Sequence, residues 1–312
     1  MSRLVPVPRP SVRVRAPGKV NLALCVGAPR EDGYHPLVTI FQAVSLVEDL
    51  ELTTTPEGSG ISLAVSGLHA EAVPTDATNL AWRAVELVAA RLGVEPDVRI
   101  DIVKGVPVGG GMAGGSADAA AALVAADHLW DGGLPRDELH GLAAELGSDV
   151  PFGLLGHTAV GTGRGHLLTP AMTRGDLHWA FATRTRGLST PAVFRAFDEH
   201  VGGPDELAPD DVAPLMAALR RGDAVAVGAA LRNDLQAASL ALAPELAETI
   251  EVAEGAGSLG AIVSGSGPTV AALARSRQHA LAICAAWTAA GVADDVHTAT
   301  GPVAGARVVT AV

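Results

Sequence analysis

Residues 107–119 read Pro-Val-Gly-Gly-Gly-Met-Ala-Gly-Gly-Ser-Ala-Asp-Ala, and five glycines fall between positions 109 and 115. Before this run, residues 98–103 alternate as Val-Arg-Ile-Asp-Ile-Val, the pattern of a half-buried strand. After it comes an alanine-rich stretch that predicts a helix over about 115–130. The order is therefore strand, glycine loop, helix. Glycine admits positive φ and close approach of backbone to a ligand. A helix that opens straight after such a loop offers unpaired amides and the positive end of its dipole. Together these features make an anion cradle suited to nucleotide phosphates. The loop is not a Walker loop, because no Gly-Lys-Ser/Thr ends it, and its surroundings do not have the spacing of a Rossmann unit.

With 312 residues, 48% of them hydrophobic, the chain has material for one large domain or two. A net charge of −12 argues against a nucleic-acid or anionic-membrane surface, though not against a local cationic pocket. The two cysteines, Cys25 and Cys284, lie in apolar surroundings with no metal-type spacing and read as reduced, buried residues. No stretch approaches the roughly 18 uninterrupted apolar residues of a membrane span, and residues 1–10 read as a loose tail rather than a signal peptide. A cytoplasmic protein is expected.

Strands are predicted around 12–15, 20–26, 37–46, 50–52, 61–65, 177–183, 261–264, 270–274 and 307–312. Helices are predicted around 78–92, 136–146, 191–200, 211–220, 223–238, 244–255 and 277–289. The helix at 136–146 ends at Gly147, and Pro151 disfavours a helical Val150. A switch to helix-dominated sequence near residue 170 suggests domains 1–172 and 173–312.

Three further motifs bear on chemistry. Ala16-Pro-Gly-Lys-Val-Asn puts Lys19 and Asn21 on an apolar strand, where the lysine is either aimed into a site or guards a sheet edge. Gly147-Ser-Asp-Val-Pro-Phe holds Asp149, which alone could be a turn residue. Ser264-Gly-Ser-Gly-Pro-Thr is a second tight glycine turn.

In this order and at this spacing, the Lys19 hexapeptide, the glycine loop and the Ser264 turn resemble the three motifs of the GHMP kinase superfamily. The resemblance covers nearly the whole chain. Asp32-Gly-Tyr-His and the Asp149 motif are similar to the branch that phosphorylates the tertiary hydroxyl of a small cytidine diphosphate substrate with ATP. The implied fold is α+β, with two domains, the active site in the cleft between them, and a last strand able to return to the N-terminal domain. The resemblance makes Lys19 and Asp149 catalytic. It assigns ATP to Asn79, Leu80, Lys104, Pro107, Gly109, Gly110, Gly111, Met112, Ala113, Gly114, Gly115 and Ser116. Asn79 could equally be only the cap of its helix. The substrate falls to Asn21, Tyr34, His35, Thr190 and Phe194, with cytosine between Tyr34, the single tyrosine, and Phe194, and with its edge on His35. ATP would arrive with Mg²⁺, whose protein ligands the motifs do not specify.

This chain departs from the family loop at two places. Ala113 replaces a glycine, which is tolerated easily only at negative φ, and Ala117 replaces a second serine. Neither a homoserine, mevalonate or sugar kinase nor an idle nucleotide-binding protein is excluded by the loop alone. The cytosine residues speak against the first, and retention of both Lys19 and Asp149 against the second. The motifs are compatible with a monomer or a homodimer.

Overall fold

The computed structural model describes residues 9–31, 33–200, 202–204, 207 and 212–311. Asp32, residues 1–8 of the expected tail, the start of the helix expected from 211, and Val312 lie outside the described residues.

Among the described residues the strands form two sheets. The larger is built on two long strands, β1 (Ser11–Val26) and β2 (Leu37–Thr54). The sequence predicts each as two shorter strands broken at Pro17-Gly18 and after Leu46. Pairing continues instead because the β1–β2 register slips at Pro17/Gly18 and again at Asn21/Ala23. Such bulges absorb a residue that cannot join the ladder and re-aim its neighbours. β3 (Ile61–Gly67) and β4 (Val98–Lys104) extend the sheet beyond β2, and β5 (Thr158–Thr162) and β6 (Leu167–Pro170) form a hairpin on its other half. The smaller sheet contains β7 (Leu177–Thr183), β9 (Gly260–Val263), β10 (Val270–Ala274) and β11 (Asp295–Gly301), in the order β11-β7-β10-β9. β11 is not among the predicted strands; its Asp-Val-His-Thr-Ala-Thr-Gly sequence has little apolar alternation.

Two late segments return to the larger sheet, both on the edge of β1 opposite β2: β8 (Arg232–Asn233) pairs parallel with Ala23 and Leu24, and β12 (Arg307–Ala311) pairs antiparallel with Val12 to Arg15. β8 splits the helix expected over 223–238 into α7 (Ala224–Ala229) and α8 (Gln236–Leu242). Alanine favours a helix there, but Asn233 pairs with Leu24, and the Asp234 carboxylate accepts from the Val26 amide at 3.0 Å. Tertiary pairing overrides the local preference.

Helices α1 (Leu80–Leu92), α2 (Gly114–Leu129) and α3 (Arg136–Leu146) cover the larger sheet, and α9 (Glu245–Gly255) and α10 (Arg277–Ala290) cover the smaller. Further helices are α4 (Val150–Leu155), α5 (Thr190–His200) and α6 (Ala213–Arg221). The two lobes share an apolar core in which Val20, Leu22 and Ile40 meet Trp179, Phe181 and Leu273. Trp179 donates its indole N–H to the buried Gln42 side chain across this junction at 3.0 Å. Cys25 and Cys284 are buried and in no disulfide, and burial pushes the Cys284 thiol up to about 11. Among the described residues no helix is long and apolar enough to cross a membrane.

Candidate active site

The cleft forms where the ends of β1 and β2, the start of α2 and the turn after β9 converge. Lys19 and Asn21 are two apart on β1 and project to the same side. Both are buried, at 5% and 3% exposure. The Lys19 ammonium donates to Asn21 Oδ1 at 2.6 Å and to the Gly111 carbonyl at 2.8 Å. Asn21 Nδ2 donates to the Thr39 hydroxyl, which donates to the Ala23 carbonyl, so the amide is oriented with its oxygen on the lysine. Lys19 Nζ lies 3.8 Å from Asp149 Oδ2. Burial pulls the Lys19 pKa down from its ordinary value, and the Asp149 charge acts in the opposite direction.

Asp149 stands at the start of α4, contrary to the expectation that Pro151 would keep Val150 out of a helix. Proline is accepted in a first turn, where its missing N–H has no partner to lose. The Asp149 side chain makes no cap bond to that helix. Its carboxylate is one-third exposed and faces the cleft beside Lys19.

The glycine loop folds over the Ser264 turn of the other lobe. Gly111 has φ +71°, and a Cβ there would fall on the Ser264 carbonyl oxygen. Gly265, at φ +61°, closes on the other side of Lys19, 3.3 Å from its ammonium to where a Cβ would stand. Asn233 supports this second turn by donating to the Val263 and Gly265 carbonyls. Ala113 has φ +59°, so the condition under which alanine would be easily tolerated is not met, and the residue is held left-handed at the N-cap of α2. The first bond into α2 runs from the Ala117 amide to the Ala113 carbonyl, so the amides of Gly114, Gly115 and Ser116 precede it at the cleft.

Three cavities run in line. The central one, about 420 Å³, is lined by Lys19, Asn21, Asp149, the glycine loop and the Ser264 turn. On one side a cavity of about 200 Å³ is lined by Asn79, Leu80, Lys104 and Asp118. It shares Leu80, Gly109, Gly114 and Gly115 with the centre. On the other side a cavity of about 990 Å³ is lined by Tyr34, His35, Thr190 and Phe194. It shares Leu37, Ser148, Arg164, Thr190 and Phe194 with the centre.

Most of the residues singled out in the sequence meet in this line, but several do so differently from expectation. Asn79 is the N-cap of α1, accepting from the Ala81 amide, while it also lines the small cavity. The Lys104 ammonium is not available to a base: it is held by Glu48 at 2.6 Å and Asp118 at 2.5 Å, all three buried. Burial, reinforced by the Asp118 charge, raises Glu48 to about 7 despite Lys104. The Met112 side chain is in the shared core, so only its backbone reaches the loop, where its carbonyl accepts from the Lys19 amide at 3.0 Å. His35 Nδ1 is 2.8 Å from the Gly27 carbonyl, and Nε2 is turned toward Asp198, 3.4 Å away. Phe194 packs on the His35 ring at 4.9 Å, and the Thr190 hydroxyl meets that of Ser266 at 2.8 Å. Tyr34 is half exposed, with the Arg164 guanidinium 3.5 Å from its ring centre.

Arg164 and Ser148 are cleft residues that the sequence reading missed. For Arg164 a signal exists in the Gly163-Arg164-Gly165 turn, where a long cation interrupts two glycines. Ser148 differs from any other loop serine only by its place beside Asp149.

The family models "GHMP kinases N terminal domain" and "GHMP kinases C terminal" match residues 79–157 and 215–293. A 4-diphosphocytidyl-2-C-methyl-D-erythritol kinase of Nocardia farcinica is 54% identical, over 97% of each chain. Its namesake from Streptomyces coelicolor is 51% identical, over 96% of this chain and 99% of its own. A crystal structure of a 4-(cytidine 5'-diphospho)-2C-methyl-D-erythritol kinase superposes with a TM-score of 0.75 at 34% identity, covering 92% of this chain and 98% of that one. Homoserine kinase from Cytophaga hutchinsonii, at 19% identity and a TM-score of 0.74, shares the fold. The chain belongs to the GHMP kinases, and within them to the 4-diphosphocytidyl-2-C-methyl-D-erythritol kinase family.

Proposed function

We propose that the protein transfers the γ-phosphoryl group of ATP to the 2-hydroxyl of 4-diphosphocytidyl-2-C-methyl-D-erythritol, a step in non-mevalonate isoprenoid precursor synthesis. The observation that carries this reading is the buried Lys19 ammonium 3.8 Å from Asp149, midway along a cleft with a helix N-terminus on one side and an aromatic wall on the other. Adenine would occupy the small cavity against Asn79 and Leu80, with Lys104 contributing its chain rather than its charge. The loop from Pro107 through Gly109, Gly110 and Gly111 to Ala113 would support the triphosphate on the amides of Gly114, Gly115 and Ser116. Cytosine would lie in the large cavity between Tyr34 and Phe194, with His35 at its edge and Thr190 beside the polar part of the substrate.

Phosphoryl transfer passes through a loose transition state, so positioning and charge stabilisation are what the protein must supply. Asp149 orients the substrate hydroxyl and takes its proton. The hydroxyl oxygen forms a bond to the γ-phosphorus as the bond to the β–γ bridging oxygen breaks, and ADP leaves. Lys19, fixed by Asn21 and Gly111, neutralises charge gathering on the transferred group.

No group of three or more His, Cys, Asp or Glu side chains among the described residues could hold a metal ion. Mg²⁺ commonly binds through substrate phosphates, waters and only one or two protein oxygens, and the Ser116 hydroxyl and Asp149 carboxylate at the central cavity fit that demand. When bound, it would supply charge neutralisation to the phosphates undergoing transfer.

The test is a coupled ADP-release assay with ATP and Mg²⁺, run on the cytidyl substrate, homoserine and mevalonate. Turnover is expected with the cytidyl substrate only, and Asp149→Asn should lower kcat by about 10²–10⁴-fold. Turnover on another alcohol would replace the substrate assignment. An unimpaired Asp149→Asn would remove Asp149 from the chemistry.

A further inference from the structure

We infer that Arg164 grips the diphosphate of the cytidyl substrate and so sets the distance between the bound base and the reacting hydroxyl. This rests on the substrate reading above. In that reading the hydroxyl lies at Asp149 in the central cavity and the base lies against Tyr34 and Phe194 in the large one. The diphosphate must then cross the junction of the two cavities. Five residues line both: Leu37, Ser148, Arg164, Thr190 and Phe194. Arg164 is the cation among them. The other charged groups of the two cavities are Lys19 and Asp149 on the central side and Glu145, Asp198 and Arg195 on the far side, none of which lines both. Without Arg164 the two cavities hold two cations against three carboxylates, with no positive charge at the junction that a diphosphate would have to cross.

The position of Arg164 is built into the fold. It sits at the turn of the β5–β6 hairpin, and the Leu37 amide at the start of β2 donates to the Gly163 carbonyl at 2.7 Å. The same turn is closed by the Gly165 amide on the Thr162 carbonyl at 3.0 Å. Leu37 follows Tyr34 by three residues, so the arginine and the tyrosine are tied to one another through backbone. The guanidinium lies over the Tyr34 ring at 3.5 Å. A guanidinium can lie over an aromatic face and still bind phosphate through paired hydrogen bonds from its N–H edge. Arg164 would thus rest its face on Tyr34 and receive the phosphates at its edge, while the backbone of the Tyr34 turn holds the aromatic wall.

The experiment measures binding of cytidine and of CDP by titration calorimetry, with a non-hydrolysable ATP analogue saturating the donor site. Wild type should bind CDP more tightly than cytidine. Arg164→Gln should weaken CDP by about 10–100-fold, the scale of losing two charge-assisted hydrogen bonds, and leave cytidine within about twofold. Arg164→Lys should recover part of the CDP affinity, since it keeps the charge and loses the fork. An equal loss for cytidine and CDP would mean that Arg164 acts only through Tyr34, and would overturn the inference. So would unchanged CDP binding, or loss of the CDP preference in Arg195→Gln but not in Arg164→Gln. Turnover of the cytidyl substrate by wild type alongside any of these outcomes would leave the substrate reading standing. If wild type neither binds CDP nor turns over the cytidyl substrate, the substrate reading fails and the diphosphate grip fails with it.

Discussion

Replacing Gly111 by alanine strikes the contact on which the cleft is assembled. Gly111 has φ +71°, and holding an L-residue there costs about 1–2 kcal/mol. The added Cβ also falls on the Ser264 carbonyl, a backbone atom that cannot rotate aside. The chain has two ways to respond. It can keep the two turns together and bear an overpacking cost of about 1–3 kcal/mol. Alternatively it can part them, which removes the Gly111 carbonyl from Lys19 and from the Ser264 hydroxyl, 2.8 and 3.3 Å away. A bond from a charged donor is worth about 1.5–3 kcal/mol, so the second route costs as much as the first. Either way the total is about 2–5 kcal/mol. For a chain of this size that lowers the melting temperature by roughly 5–15 °C. ATP affinity should fall as well, because the loop that carries the α2 amides moves. Thermal melts followed by circular dichroism and calorimetric ATP titration read both effects. A Gly111→Ala protein that melts within about 2 °C of wild type and binds ATP equally well would refute the reasoning.

Two residues later the same argument changes sign. Ala113→Gly should stabilise the protein by about 1 kcal/mol in urea unfolding, because φ +59° strains alanine and glycine is also the better N-cap; a destabilised variant would show that the alanine methyl is needed. Burial first, then the Asp118 charge, holds Glu48 protonated to about 7, whereas a free glutamate ionises near 4.5. Between those values the native state keeps a proton that the unfolded chain releases, so Glu48 stabilisation is full at low pH and declines as pH rises through about 7. The decline amounts to about 3 kcal/mol. Unfolding curves of wild type should therefore lose that much relative to Glu48→Gln between pH 4.5 and 7.5, and parallel curves would exclude Glu48 as the titrating group.

The misread elements have a common cause. Residues 223–238 are alanine-rich and locally helical, yet β1, some 200 positions earlier in the chain, takes Arg232 and Asn233 as a strand. Pro17 and Gly18 look like a break in the sequence, yet β2 supplies pairing on both sides of them and a bulge takes up the mismatch. β11 has almost no local signature and exists because β7 offers it an edge. In each case a partner far along the chain outweighed a preference held by a few adjacent residues.

The strand, glycine loop and helix at 98–129 were legible because each depends on nearby residues: alternation, positive φ, and alanine's helix preference. The Lys19, Asp149 and Ser264 motifs were legible as types of residue in a recognisable order. Their meeting was not, since Lys19 and Asp149 come from strands and helices 130 positions apart, and only the folded chain brings them to 3.8 Å. Tertiary structure alone also made Ala113 left-handed, withdrew Lys104 into an ion pair with Glu48 and Asp118, and placed Arg164 between two cavities. Local sequence specifies what each segment can do with its own backbone. Which charges face one another, and across what space, is decided by the packing of distant segments, where burial and Coulomb forces act through space and not along the chain.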